Sequence, residues 1–536
     1  TDSFCLRNAW SGLFLQKVAA ACATHKRQRK KTQICKRILY CRKNKRCAIL
    51  KTRWLYSLPG ACIGQAVRNQ KREAKRPGKQ KAKREECQKP KGEKAKAMKY
   101  GGVKMNEAKT LELLQSEAAR VRMTELYGAG HVDENISRYE ELVKKFQENF
   151  GEKDILMFSS PGRTEISGNH TDHNHGKVLA GSINLDCVGI AAKNDSSKVN
   201  IISETFNQKF TIDLNELQPS AKKAGTIDLV KGLLKGFQQS GYEVGGFDAY
   251  ITSNVISSAG VSSSASFEML LCSMLNRFFN DGRMSTVAYA HIGKYAENVY
   301  WDKASGLLDQ MACAVGGLIT IDFLEPAEPK VEQIDFDFAS QNHSLIIVQT
   351  GKGHADLSAD YSSVPNEMKK VAQFFGKEVC AEVTEQQVID NIQEVRAFAG
   401  DRSVMRALHF FEENKRVEAE VSALKEGRFE DFLTNITASG NSSWKWLQNC
   451  YTTASVQEQG ISIALALTEL FIAEKQRGAC RIHGGGFAGV IMAMLPNDIV
   501  DEYIDYIEHA MGAGSAYRMS IRPYGAICFD AVMEEQ

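Results

Sequence analysis

The chain has 536 residues, too many for one compact domain, and its 43% hydrophobic and 25% charged content is that of a soluble globular protein. No apolar run approaches the ~18–20 residues that carry a helix across a bilayer, which excludes a helical membrane span. The net charge of +4 averages two unlike pieces: residues 1–104 hold 30 Lys+Arg against 5 Asp+Glu, and the remainder holds 38 against 59.

The basic head, with runs such as KRQRKK and KREAKRPGKQKAKREE, has the charge of a nucleic-acid-binding arm or of a solvated, disordered tail. A third origin fits better. The chain opens on Thr1, no methionine occurs before Met98, and Gly101-Gly102-Val103-Lys104-Met105 can be encoded by a purine-rich ribosome-binding stretch followed by a start codon. The expectation is therefore an authentic start at Met105 and no nucleic-acid partner unless the head is genuine. The apolar stretch Thr1–Ala23 is broken by Arg7, Asn8, Gln16 and Lys17 and is not a signal peptide. Cys35, Cys41 and Cys47 recur every six residues, without the paired short spacings and fourth ligand that zinc wants. The seven cysteines after residue 104 are scattered with no CxxC, as buried thiols of a cytoplasmic protein would be.

From Met105 the stretch NEAKTLELLQSEAARVRMTELYG is helical, with Leu111, Leu114 and Ala118 near one face. A second amphipathic helix covers about Ile136–Phe150 and is capped by Gly151. A short apolar piece, Ile155–Phe158, leads into the loop Pro161–Gly176, PGRTEISGNHTDHNHG, whose directed donors and acceptors suit a polyhydroxy ligand such as a sugar. Val178–Ala192 and Val199–Ile212 are strand-rich, and Phe247–Ser253 alternates as a strand.

Val255–Glu268, VISSAGVSSSASFE, then runs into a helix whose face is Phe267, Leu270, Leu271, Met274, Leu275 and Phe278. Strand, Gly/Ser loop and helix in that order expose backbone N–H groups at a helix N-terminus, an anion site. Further on stand AENVYWDKASGLLDQ, with Glu297 on a helix, and HADLSADY, ending in Tyr361. Arg481–Val490, RIHGGGFAGV, formally satisfies GxGxxG, but the VIMAML run that follows is a short strand ended by Pro496, which argues against a dinucleotide fold. No GxxxxGK[ST] loop occurs, so a nucleotide would be held without a Walker lysine.

Gly162, Arg163, Gly168, His170, Thr171, Asp172 and Asn174 resemble the galactokinase signature, a Gly-Arg pair leading into Gly-Glu-His-Thr-Asp-Tyr-Asn, with Asn169 for Glu and His173 for Tyr. The second motif resembles the Gly-Leu-Ser-Ser-Ser-Ala phosphate loop of the GHMP kinases, with Ile256 for Pro and Val261 for Leu. The third resembles Thr-Gly-Gly-Gly-Phe-Gly-Gly, with His483 for Thr and Ala488 for one Gly.

The resemblance covers about Leu126 onward and implies an α/β (α+β) two-domain GHMP kinase fold. Its N-terminal domain, residues 105–325, would carry the sugar signature and the Ser-rich phosphate loop, and a ferredoxin-like C-terminal domain would span 326–536. It implies phosphoryl transfer from ATP to the anomeric hydroxyl of galactose, with Asp309 as catalytic base and Arg163 as its electrostatic partner. Asn169, His170, Asp172, Gly306 and Tyr361 would contact sugar; Gly260, Ser262, Ser263, Ser264 and Ala265 would hold ATP; Ser264 and Glu297 would ligate Mg²⁺. Tyr361 is placed by its spacing from His354. The resemblance implies a Glu near the sugar's 6-position where this chain has the uncharged Asn169, which keeps a galacturonate-like or other modified hexose open as substrate, with N-acetylgalactosamine a further alternative. A non-catalytic galactose- and ATP-binding sensor is the non-enzyme rival. The expected partners are small molecules, and the expected state is a cytoplasmic monomer.

Overall fold

The computed structural model of the protein describes residues 105–220, 225–256, 260–301, 303, 305–351 and 357–529. The basic head with Cys35, Cys41 and Cys47, the loop residues Ser257, Ser258 and Ala259, and His354 lie outside the described residues.

Asn106 caps helix α1 (Glu107–Leu114), its side chain accepting from Lys109 N. The expected continuous helix breaks at Gln115, and Ser116 caps a new one, α2 (Glu117–Tyr127). That restart shifts the helical phase, so Ala119 is buried and Ala118 is exposed, correcting the single stripe read from the sequence. Helix α3 (Val132–Phe150) buries Ile136, Tyr139, Leu142, Val143 and Phe146 on one side and ends at Gly151, whose φ of 74° suits glycine.

The first sheet contains β1 (Leu156–Ser167), β2 (Lys177–Lys193), β3 (Lys198–Ser203), β4 (Gln208–Asp213), β5 (Phe247–Ser253), β6 (Leu318–Asp322), β7 (Lys330–Ile334) and β12 (Ile527–Cys528). Its main order is β12-β1-β2-β5-β3-β4, with β6 pairing β2 and β7 pairing β6. Side-chain alternation sends Met157, Val188 and Ile190 into one core with α1, α2 and α3. Phe158, Cys187 and Ala191 face the other core, with α4 (Thr226–Gln239), α5 (Ser263–Phe279) and α6 (Thr286–Tyr295). Helix α7 (Leu308–Val315) covers β6.

Asp186 on β2 ties distant parts together. Fully buried, it accepts from Tyr127 Oη (2.6 Å), Ser159 Oγ (2.5 Å), Arg138 Nη1 (2.7 Å) and Arg522 Nη1 (3.2 Å). Arg522 also donates to the carbonyls of Tyr524 and Gly525, just before β12.

The second sheet is antiparallel: β8 (His343–Gln349), β9 (Ala479–His483), β10 (Val490–Pro496) and β11 (Ala516–Met519), ordered β11-β8-β10-β9. Between β8 and β9 come α8 (Ser358–Phe374), α9 (Glu385–Asp390), α10 (Ile392–Ala399), α11 (Asp401–Lys425), α12 (Phe429–Ser442) and α13 (Gly460–Lys475). Helix α14 (Val500–Met511) links β10 to β11, which completes a ferredoxin-like connectivity. One face packs on α13 and α14 through Ile346, Val348 and Ile491. The other joins Val417, Phe432 and Ile436 to Ile166, Leu179 and Val261 of the first domain, so the two sheets share a core where β1 meets β9. The division expected at 325/326 falls between β6 and β7, two paired strands of the first sheet.

Candidate active site

The signature is a loop only in part: Leu156–Ser167 is strand β1, and the turn begins at Gly168. Register shifts at Pro161/Arg163 and Glu165/Ser167 bend the strand and re-aim its side chains. Gly162 is required by a close approach, since a Cβ there would lie 2.7 Å from Val261 O. Arg163 N donates to that same carbonyl at 3.1 Å, lacing β1 to the segment before α5. Its buried guanidinium donates from Nη1 to Gly260 O, and from Nε (2.8 Å) and Nη2 (2.6 Å) to Asp309 Oδ1 in the first turn of α7. Burial alone would raise the Asp309 pKa, but Arg163, then Lys303, outweigh it and hold the carboxyl below its ordinary value.

Ser262, in the left-handed region at φ 61°, precedes α5, and Ser263, Ser264 and Ala265 form the helix's first turn. The N-cap Ser262 makes no side-chain cap hydrogen bond, so among the described residues the N–H groups of this first turn and its helix dipole are left for an anion. Ser264 Oγ donates to Glu297 Oε1 at 3.1 Å. Glu297 lies on a π-helical turn, Ala296–Tyr300, that continues α6. Lys303 Nζ donates to the same Oε1 at 2.6 Å, and Gln310 Nε2 bridges Glu297 Oε2 (3.1 Å) and Glu268 Oε2 (3.3 Å). A hydroxyl and a carboxylate meeting at a phosphate-type helix terminus are hard oxygen donors that fit Mg²⁺. Among the described residues there is no group of three or more His, Cys, Asp and Glu that could hold a metal.

The turn after β1 brings the expected sugar residues together. Asp172 Oδ1 accepts from His173 N (2.9 Å), and its other oxygen lies against Gly306, where any Cβ would collide with it. His170, at φ 61°, donates from Nε2 to Gly485 O at 2.8 Å. Burial lowers its pKa to about 4, so the ring is neutral. Tyr361 on α8 donates to Gly486 O (2.8 Å) and lays its ring where a Gly485 side chain would sit. The triple glycine thus closes over the signature turn, and Gly486 is also needed because a Cβ would run into Asn449 O.

Asn169 is fully buried and engaged with protein. Its amide nitrogen donates to Glu165 Oε1 (2.6 Å) and Gly484 O (2.7 Å), and its oxygen accepts from Asn449 Nδ2 (2.7 Å). Beneath the turn, His409 and Glu413 of α11 take Asn169 O (3.0 Å) and Gly168 N (3.1 Å). Sequence reasoning missed Lys303, Glu165, His409, Glu413 and Asn449. Lys303 and Glu165 stood inside motifs already singled out; the α11 pair and Asn449 carried no local signal.

Two family models match: one described as the galactokinase galactose-binding signature over residues 144–193, and one described as the GHMP kinases N terminal domain over residues 228–317. The galactokinase of Pyrococcus furiosus is 30% identical over 349 residues, 64% of this chain and 90% of that protein. That of Clostridium tetani is 29% identical over 364 residues, 67% of this chain and 89% of that protein. The crystal structure of Lactococcus lactis galactokinase complexed with galactose superposes with a TM-score of 0.63 at 26% identity, covering 73% of this chain and all of that one. Matching such relatives along nearly their whole length, the chain belongs to the galactokinase family of the GHMP kinase superfamily.

Proposed function

We propose that the protein is an ATP-dependent kinase that phosphorylates the anomeric hydroxyl of galactose. The observation that carries this is the Arg163–Asp309 pair, set between an uncapped helix N-terminus and the Asp172–Gly306 contact. Asp309 orients the acceptor hydroxyl and takes its proton, while Arg163 keeps that carboxylate ionised and faces the charge of the transferring group. Gly260, Ser262, Ser263, Ser264 and Ala265 cradle the ATP phosphates. Ser264 and Glu297 hold Mg²⁺, which when bound neutralises phosphate charge. His170, Asp172, Gly306 and Tyr361 shape the sugar site, and Asn169 supports it from below.

The protein acts as a cytoplasmic monomer on small molecules alone. Six buried thiols, among them Cys272 and Cys450, suit a reducing compartment, and among the described residues no helix is long and apolar enough to cross a membrane.

The test is ATP-dependent phosphorylation of galactose, N-acetylgalactosamine, galacturonate, glucose and arabinose, with Asp309→Ala as control. Turnover on galactose that disappears in the control is expected. Turnover on galacturonate or N-acetylgalactosamine alone would replace the substrate, and binding without turnover on any sugar would replace the kinase by a sensor.

A further inference from the structure

His483 ends β9 opposite Val490 and is 2% exposed. Its Nε2 lies 3.0 Å from Glu165 N and 3.0 Å from Thr164 Oγ1. A backbone N–H can only donate, so Nε2 presents its lone pair, and the neutral ring then carries its proton on Nδ1. Burial, reinforced by Arg163 and Arg481, lowers the imidazole pKa well below its ordinary value and keeps the ring neutral.

Nδ1 is buried and, among the described residues, has no hydrogen-bond partner. Orphaned buried donors are rare in native interiors and call for an acceptor. This one faces Gly260: a Cβ there would stand 3.7 Å from Nδ1. Gly260 opens the phosphate loop and its carbonyl takes Arg163 Nη1, while Arg163 and Asp309 both lie near enough to bias the charge on the ring.

We propose that His483 is a further phosphate-binding residue, its Nδ1–H donating to a phosphate oxygen of the nucleotide held by Gly260–Ala265. The proposal rests on the kinase function above.

Two substitutions in the full chain separate this role from a structural one. In His483→Gln the amide oxygen can replace Nε2 as acceptor for Glu165 N–H, but nothing replaces the Nδ1 donor. In His483→Asn the amide nitrogen falls near the Nδ1 position, and the acceptor for Glu165 is lost. The readouts are kcat, KM for ATP and for galactose, melting temperature, and Mg·ATP affinity by calorimetry. His483→Gln is expected to keep the parent's melting temperature and galactose KM while losing about tenfold or more in kcat or ATP affinity. His483→Asn should melt lower yet retain more of both per folded molecule. Equal losses in the two variants, or a Gln variant matching the parent, would overturn the proposal in favour of a packing role or an ordered water. Should the parent phosphorylate no sugar, the kinase function fails by itself, and ATP affinity in parent and Gln variant still decides the role of His483.

Discussion

Arg163 reaches Asp309 with two nitrogens, Nε at 2.8 Å and Nη2 at 2.6 Å, and both land on the same carboxylate oxygen, Oδ1. Oδ2 is thereby the oxygen not engaged by the guanidinium, and under the proposed mechanism it is the one that would receive the acceptor hydroxyl. Asp309→Asn should lower kcat by about 10²–10⁴-fold while calorimetry still finds galactose and ATP bound.

Under the proposed mechanism, Arg163 should also set where activity fails in acid. The Asp309 pKa is held below 3.8, so the active carboxylate persists above that pH and is lost as pH falls through the depressed value. Arg163→Lys keeps a charge but cannot make the forked contact. Its acid limb in kcat/KM should move to higher pH, read from initial rates across a pH series. An unmoved limb would show that Arg163 does not govern the titration.

Asn169→Glu should destabilise the protein before it alters sugar choice. The new carboxylate would face Glu165 and the Gly484 carbonyl, both of which now accept from the amide. An uncompensated buried charge of this kind costs about 3–5 kcal/mol, visible as a lower melting temperature. Adding Glu165→Gln removes the facing charge, and the double variant should recover part of the loss. A single variant that melts like the parent and prefers another sugar would show that residue 169 reaches the substrate.

Gly306→Ala is a focused probe of the sugar side. The added methyl would push into the Asp172 carboxylate, and the nearest atoms in its path belong to Asp172 and His173 of the signature turn. Steady-state kinetics should show the galactose KM raised about tenfold or more and the ATP KM unchanged.

Arg522→Ala should lower the urea midpoint, at a cost of about 3–5 kcal/mol, because Asp186 would keep Arg138 but lose its second cation. Burial would raise the Asp186 pKa, yet Arg138 and Arg522 outweigh it and hold it below 3.8. The stability this contributes is complete above the unfolded carboxylate's pKa and is lost as pH falls through the folded one. The variant should therefore lie closest to the parent in strong acid, as acid-unfolding curves would show.

What was legible in the sequence was whatever is encoded over short spans. Ser262–Ala265 stood out as a Gly/Ser loop opening a helix, and Arg163, Asp172, Gly306 and Asp309 through their resemblance to motifs of the galactokinase family, whose residues are held within short spans. The phase shift at Ser116 was not legible, since a capping serine also sits acceptably on an exposed helix face. Nor was the layer beneath the site: Glu413 meets Gly168, and Asn449 meets Asn169, across more than two hundred residues of chain. In sequence, a buried Glu or His on an amphipathic helix is indistinguishable from a solvated one. Only the fold that folds α11 under the signature turn gives His409 and Glu413 their partners.

The pairing of β12 with Phe158 and Ser159 has a consequence for biosynthesis. Strand β1 leaves the ribosome early and carries Arg163, but its outer edge stays open until residue 528 has been made. During that interval the first sheet exposes unpaired backbone, and Asp186 waits without Arg522. The nascent chain thus cannot finish its first domain before its second has been translated. Catalytic competence should appear late and abruptly on the ribosome, and stalled chains ending before β12 should be preferred clients of holding chaperones.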